Sequence, residues 1–152
     1  MKTKNWKMRS GISASRSGMS LTAQYARTAL QDPVLKEMYT QRAKTGFSPL
    51  RMAANDFLQR PFIRDLDVTG YHGNQGDKIR ASAGDKVGLT EVRATLLAAD
   101  GTLVESGACV LDLPTGKYMY AATCQMADTS GMSLVIAVRD IPGNVVEKPF
   151  TL

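Results

Sequence analysis

The chain has 152 residues, of which 43% are hydrophobic and 22% charged, with a formal net charge of +5. A chain of that length buries roughly 70% of the surface its unfolded form exposes, so one main domain with a small appendage is expected rather than a disordered polymer. No apolar run approaches the roughly 20 residues that a membrane-spanning helix needs.

The charge is unevenly placed. Residues 1–64 carry twelve Lys and Arg against Asp32, Glu37 and Asp56, leaving +9, whereas residues 65–152 carry seven basic and eleven acidic side chains, leaving −4. Such polarity steers the leading part toward nucleic acid or another anionic surface, or toward the acidic face of a neighbouring copy.

Residues 1–18 contain Lys2, Lys4, Lys7, Arg9 and Arg16, no acid, and the small-residue run from Ser10 to Gly18. Gly and Ser free the backbone and like charges repel, which predicts a flexible basic arm. The plain reading is a solvated tail. The sharper one is a partner-binding arm in which Trp6 is an anchor flanked by Lys2, Lys4, Lys7, Arg9 and Arg16, since Trp and Arg concentrate binding energy at interfaces. The charged start has no apolar segment behind it and does not read as a secretory signal peptide. The expectation is a cytoplasmic protein, or one exported without a standard signal.

Residues 19–61 predict three short helices. Ser20 is placed to cap a first helix with Leu21, Tyr25 and Ala29 at fourfold spacing. Asp32-Pro33 opens a second, with Val34, Leu35, Met38 and Tyr39 as its stripe and Gly46 as its stop. Ser48-Pro49 opens a third, whose apolar face is Leu50, Ala53, Ala54, Phe57 and Leu58 before Pro61. No polar ligand set converges on these stripes, so they read as core.

Residues 62–152 change period. Phe62–Val68 reads as an entering strand, followed by a turn-rich stretch from Thr69 to Gly76. Ile79, Ala81 and Ala83 alternate with Lys78, Arg80 and Ser82, and Val92, Ala94 and Leu96 with Glu91, Arg93 and Thr95. Period two with a charged outer side marks a sheet with one face in water. Asp100-Gly101 signals a hairpin into Leu103–Leu111, where Glu105, Ser106 and Gly107 interrupt the register and suggest a bulge. Tyr118, Tyr120 and Ala122 form the next inward set, then Leu134, Ile136 and Val138. Pro142-Gly143-Asn144 turns into a last strand, Val145–Thr151, in which Pro149 suits an edge. About seven strands in about ninety residues predict a two-sheet antiparallel sandwich. The fold class is therefore α+β: a basic arm, three helices and a C-terminal β-sandwich.

The pattern carried by Gly76, Asp77, Ile79, Val92, Leu96, Asp100, Gly101, Glu105, Gly107, Tyr118, Tyr120, Asp140, Pro142, Gly143 and Asn144 resembles bacterial immunoglobulin-like domains of the fibronectin type III or cadherin-like kind. It covers roughly residues 65–150, and the whole chain resembles short bacterial proteins that place a helical segment before one such domain. These positions are turns and core, so they speak to fold more than to function. The chain departs from antibody-type domains in having no core Trp between paired cysteines. The resemblance implies adhesion, assembly or scaffolding rather than catalysis. It also implies weighing Ca²⁺ at Asp85, Asp140 and Asn144, but three scattered donors fall short of the six to eight oxygens that a hard cation takes.

The chemical inventory points the same way. His72 sits in a Gly-rich turn with no Cys or acidic pair at metal spacing. No nucleophile elbow, phosphate loop or dinucleotide motif is present. A hairpin centred near Pro114 pairs position 124 with about 104, which leaves Cys109 about 17 Å from Cys124 along the strand. A bridge needs Cα atoms within about 7 Å, so two reduced thiols are expected. The sequence thus predicts a non-enzymatic structural or interaction protein with no cofactor and no metal. Its expected partners are copies of itself or another protein, with nucleic acid held by the basic arm as the alternative.

Overall fold

The computed structural model describes residues 20–152. The arm residues Lys2, Lys4, Trp6, Lys7, Arg9 and Arg16 lie outside them. The chain divides between Arg60 and Pro61 into two compact units.

In the first unit, three helices form where side chains satisfy their leading N–H groups. Helix α1 spans Leu21–Ala29, α2 Pro33–Arg42 and α3 Pro49–Leu58. Ser20 Oγ accepts from Ala23 N at 3.1 Å, Asp32 Oδ1 from Val34 N at 2.8 Å, and Ser48 Oγ from Arg51 N at 3.1 Å. Pro33 and Pro49 occupy first-turn positions, where a missing N–H costs nothing.

The buried faces differ from those the apolar spacing predicts. On α1 they are Thr22, Ala26 and Ala29, while Leu21 is exposed; on α2 only Tyr39 is buried and Val34 is open to solvent. The helix α2 ends at Arg42, four residues before Gly46. On α3 the inward pair is Ala53 and Asp56, with Leu50 and Leu58 exposed. The reason is a polar centre. Tyr39 Oη donates to Asp56 Oδ2 at 2.6 Å, and the Tyr25 and Tyr39 hydroxyls share a 2.6 Å hydrogen bond. Burial, then the Asp56 bond, pushes the Tyr39 hydroxyl far above the ordinary tyrosine range, so it stays protonated. A buried carboxylate demands donors, and turning it inward rotates α3 away from the face that hydrophobicity alone selects. The Tyr25 and Phe57 rings stack at 5.2 Å beside it.

The second unit is a two-sheet antiparallel sandwich of eight strands. They are β1 Phe62–Asp67, β2 Lys78–Gly84, β3 Leu89–Leu97, β4 Leu103–Ala108, β5 Val110–Asp112, β6 Lys117–Ala121, β7 Ser133–Asp140 and β8 Val145–Thr151. One sheet has the order β1-β2-β6-β5 and the other β4-β3-β7-β8. The inward sets are those predicted by alternation: Ile79 and Ala81, then Val92, Ala94 and Leu96, then Tyr120 and Ala122, then Leu134, Ile136 and Val138, all buried in one cluster. Val92, Ala94 and Leu96 face Val138, Ile136 and Leu134 in direct register, which places three apolar cross-strand pairs at the centre of the second sheet.

Eight strands replace the seven predicted because Leu103–Leu111 is not one strand. It pairs with β3 up to Ala108, crosses at Cys109, and from Val110 pairs with β6 in the other sheet. The register slips at its start, where Leu103 faces Leu97 and Glu105 faces Leu96, so the extra residue is Val104.

Aspartates organise the turns. Asp67 Oδ1 accepts from both Thr69 N and Thr69 Oγ1, and Asp100 Oδ1 from both Thr102 N and Thr102 Oγ1. Asp77 accepts from His72 N and Asn74 N, and Asp128 from Ser130 N. These bonds favour the ionised form: the Thr69 hydroxyl, the His72 amide, the Thr102 hydroxyl and the Ser130 amide hold Asp67, Asp77, Asp100 and Asp128, respectively, below the usual aspartate range.

A group with a lowered folded-state pKa contributes stability above its unfolded value and loses it as pH falls through the folded one. The melting temperature is therefore expected to hold from neutral pH down to about 5 and to drop below about pH 4, where unfolded aspartates begin to take up protons. Calorimetry across pH 2–7 reads this directly, and a melting temperature that rises on acidification contradicts it.

Candidate functional site

The sandwich is closed at one end by a carboxylate that reaches across its interior. Glu105 on β4 is buried, and its Oε2 accepts from Tyr120 Oη at 3.2 Å, Thr123 N at 2.7 Å, Cys124 N at 3.2 Å and the Thr123 hydroxyl. Its Oε1 is buried without a hydrogen-bond partner. Tyr71 lies close by, its hydroxyl donating to Met132 Sδ at 3.9 Å. Burial first, and then the Glu105 charge, raises both the Tyr71 and the Tyr120 hydroxyls above the ordinary tyrosine range. With four hydrogen bonds converging on Glu105 Oε2, the cluster acts as a polar lock on the segment after β6.

That segment is pinned from outside too. Gly76 N donates to Ala122 O at 2.7 Å, Met126 N to Gly73 O at 2.6 Å, and Gln125 Nε2 to Asn74 Oδ1 at 2.9 Å. Gly73 has φ +91°, and a Cβ there would sit 2.5 Å from Met126 O, so only glycine lets the two loops meet. Likewise, a Cβ on Gly107 would lie 2.8 Å from Cε2 of the Tyr120 ring. The glycine in the Glu-Ser-Gly run is there so that the ring can cover the strand.

The run that turns Glu105 and Gly107 inward slips at Val104 and changes sheet at Cys109, and on either side it presents apolar residues outward. Leu103 is 65% exposed, Val110 69% and Leu113 81%, with Leu111 also exposed. Strand β4 ends one sheet and β5 ends the other, and one continuous run supplies both. Residues 103–112 are therefore an open sheet edge whose surface is apolar at Leu103 and from Val110 onward, with the exposed Ser106 hydroxyl between them. Its two carboxylates do not interrupt that surface: Glu105 is buried and Asp112 half-buried, accepting from the Thr115 hydroxyl at 2.6 Å.

Strand β4 carries the bulge at Val104, and the edges at β1 and β8 carry features that resist pairing as well. On β1, Arg64, Asp65 and Asp67 accompany a register slip between Ile63 and Leu66. On β8, Glu147, Lys148 and Pro149 are exposed in succession. Charges, proline and bulges are the usual means of blunting an edge, and the Val110–Leu113 stretch has none exposed. Strand β8, in which Pro149 suits an edge by sequence, is thus an edge and a guarded one. The sequence signal for the better edge was the run Val110-Leu111-Asp112-Leu113 before Pro114. The prediction of a single strand through it hid that this run ends a sheet.

The remaining candidates are otherwise engaged. Asp140 is fully buried and accepts from Gly143 N at 2.9 Å, Asn144 N at 2.6 Å and Asn144 Nδ2 at 2.9 Å, while Asp85 accepts from Val87 N and Gly88 N. Asp85, Asp140 and Asn144 thus tie turns. Among the described residues no group of three His, Cys, Asp or Glu is arranged to hold a metal ion. Cys109 and Cys124 are both free; burial pushes the Cys109 thiol up to about 11. Cys124 Sγ lies 3.9 Å from Val104 O, next to the position the hairpin argument predicts. No helix among the described residues is long and apolar enough to cross a membrane. A shallow depression on the outer face of β3, β7 and β8 is lined by Glu91, Arg93, Arg139 and Glu147, with Arg93 Nε 2.8 Å from Glu91 Oε1.

No protein-family model matches the chain, and no curated protein matches it. Among solved structures it is similar to CopC from Methylosinus trichosporium OB3b, at 18% identity and a TM-score of 0.41, over 60% of this chain and 89% of that one. A likeness at that level transfers no property to this chain.

Removing the lock tests its structural role. Glu105→Ala leaves the Thr123 and Cys124 amides without their acceptor and is expected to cost about 3 kcal/mol, whereas Glu105→Gln keeps a carbonyl oxygen at Oε2 and costs about 1 kcal/mol. Urea unfolding of the three proteins measures both. Equal stabilities for the wild type and the alanine variant would remove Glu105 from its assigned role.

Proposed function

We propose that this is a non-enzymatic interaction protein that assembles with copies of itself, and that its sandwich is of the immunoglobulin-like kind. The strand order supports the second part: β1-β2-β6-β5 against β4-β3-β7-β8 has the arrangement of immunoglobulin strands A-B-E-D against C-F-G, with β4 added beside the strand equivalent to C. Such a domain offers edges and loops to partners. Here the titratable groups of the interior are spent on turns and on the Glu105 lock, so the reading is one of assembly rather than catalysis.

The observation that carries it is the apolar open stretch at 110–113, where Val110, Leu111 and Leu113 are exposed. Exposed apolar groups next to unpaired backbone N–H and C=O groups form a ready template for another strand, and such contacts derive affinity from main-chain hydrogen bonds. The opposite charges of the two parts, +9 for residues 1–64 and −4 for residues 65–152, add attraction between a leading segment and a sandwich. The same positive charge supports a second reading, nucleic-acid binding through Lys2, Lys4, Lys7, Arg9 and Arg16.

Light scattering on the full chain separates the two. The expected result is a mass above that of the monomer, rising with protein concentration in the absence of nucleic acid. The double variant Val110→Lys, Leu111→Lys should return it to the monomer mass, with stability changed by no more than about 0.5 kcal/mol because both positions are exposed. A wild type that stays monomeric alone and gains mass only with added DNA would favour the second reading.

A further inference from the structure

We propose that two copies join edge to edge through β5, the strands antiparallel and paired about Leu111, so that Leu113 of each copy enters a cavity beside Cys109 of the other. This rests on the self-assembly reading above and names the partner strand and its register.

Three observations converge. The first is the choice of edge. Of the four strands that end the sheets, β1, β4 and β8 each carry a bulge, exposed charges or proline, and β5 carries none of these. A second copy of the sandwich therefore offers one unguarded edge, and it is the same β5. The second is charge in the register that symmetry imposes. A two-fold axis through the centre of Val110–Asp112 pairs Leu111 with Leu111, Val110 with Asp112 and Cys109 with Leu113. Each Asp112 then stands opposite a valine rather than its own like charge, and in its own sheet it already lies opposite Lys117. The third is a cavity of about 140 Å³ whose lining includes Leu89, Val92, Ala108, Cys109 and Tyr118. It opens where β4 leaves β3, since their pairing extends no further than Arg93 with Ala108. An apolar cavity of about 150 Å³ takes a group as large as benzene, so a leucine side chain fits this one.

In this arrangement the four-stranded sheet β1-β2-β6-β5 continues into its symmetry mate, and main-chain groups on the open side of β5 gain partners. Positions 109, 111 and 113 share one side of an extended chain, the side on which Leu111 lies opposite the inward Tyr118. That side leads from Leu113 of one copy toward the cavity of the other. Leu113 is the most exposed large hydrophobic side chain among the described residues, and the contact gives it a place. A three-residue strand pair with one leucine at each end is a small interface, which belongs to the weak, concentration-dependent class.

Disulfide trapping on the full chain reads the register. The variant Leu111→Cys is oxidised mildly at concentrations where light scattering shows the higher mass, and the bridged peptides are mapped by mass spectrometry. The expected product joins the introduced thiols of two copies, because directly opposed Cα atoms lie about 5 Å apart and a bridge forms within about 7 Å. Leu103→Cys, beside the bulge of β4, should give at most a tenth of that yield. Leu113→Asp should weaken the dimer at least tenfold, as loss of a buried leucine does, while Leu113→Met keeps it. Neither change at this exposed position should alter the melting temperature of the dilute protein. A bridge absent at position 111, one formed equally well from Leu103→Cys, or a dimer unaffected by Leu113→Asp would overturn the proposal, and a mass still above the monomer would then leave self-assembly standing. A monomer mass at all concentrations would remove both.

Discussion

Between Glu105 and Val110 the chain changes sheets, and this crossing is held by one carboxylate. A run that belongs to both sheets has to be tied to the interior, or the two layers share no fixed register along that side. Glu105 supplies the tie by accepting four hydrogen bonds from Tyr120, Thr123 and Cys124 on the facing side. Gly107 supplies the clearance that lets the Tyr120 ring lie against the strand. Those two residues face inward, and the slip at Val104 before them and the change of sheet at Cys109 after them leave Leu103, Val110 and Leu111 on the surface.

The apolar edge is therefore a consequence of how the sandwich is closed. A strand pair confined to one sheet could have buried its hydrophobic side chains in the usual way. A strand that crosses exposes some of its apolar residues near the crossing, because the two sheets' inner faces do not continue one another there. The sandwich core, built on the pairs of Val92, Ala94 and Leu96 with Val138, Ile136 and Leu134, needs nothing from these residues.

The helical unit shows the same logic on a smaller scale. Burying Asp56 and Tyr39 together turns the faces of α2 and α3 toward a polar centre, and Val34, Leu50 and Leu58 are left outside. In both units a buried carboxylate, not the count of apolar residues, decides which hydrophobic side chains face water. The first unit holds its carboxylate with tyrosine hydroxyls, and the second uses backbone amides as well.

The sequence by itself determined the three capped helices, the period-two strands, their inward residues and the turns at Asp100-Gly101 and Pro142-Gly143. Each of these depends on neighbours within a few positions: a cap three residues ahead of the amide it satisfies, an alternation read along one strand, a glycine or proline at a fixed turn position. The Asp-x-Thr and Asp-x-Ser turns at Asp67, Asp100 and Asp128 were equally local, and their spacing was there to be read. Only the tertiary structure decided that Leu103–Leu111 splits between two sheets, that Glu105 and Asp56 point inward, and which edge stays open. Those outcomes rest on pairings between residues 15 to 18 positions apart, such as Glu105 with Tyr120 and Thr123 or Tyr39 with Asp56, whose energy no local window contains.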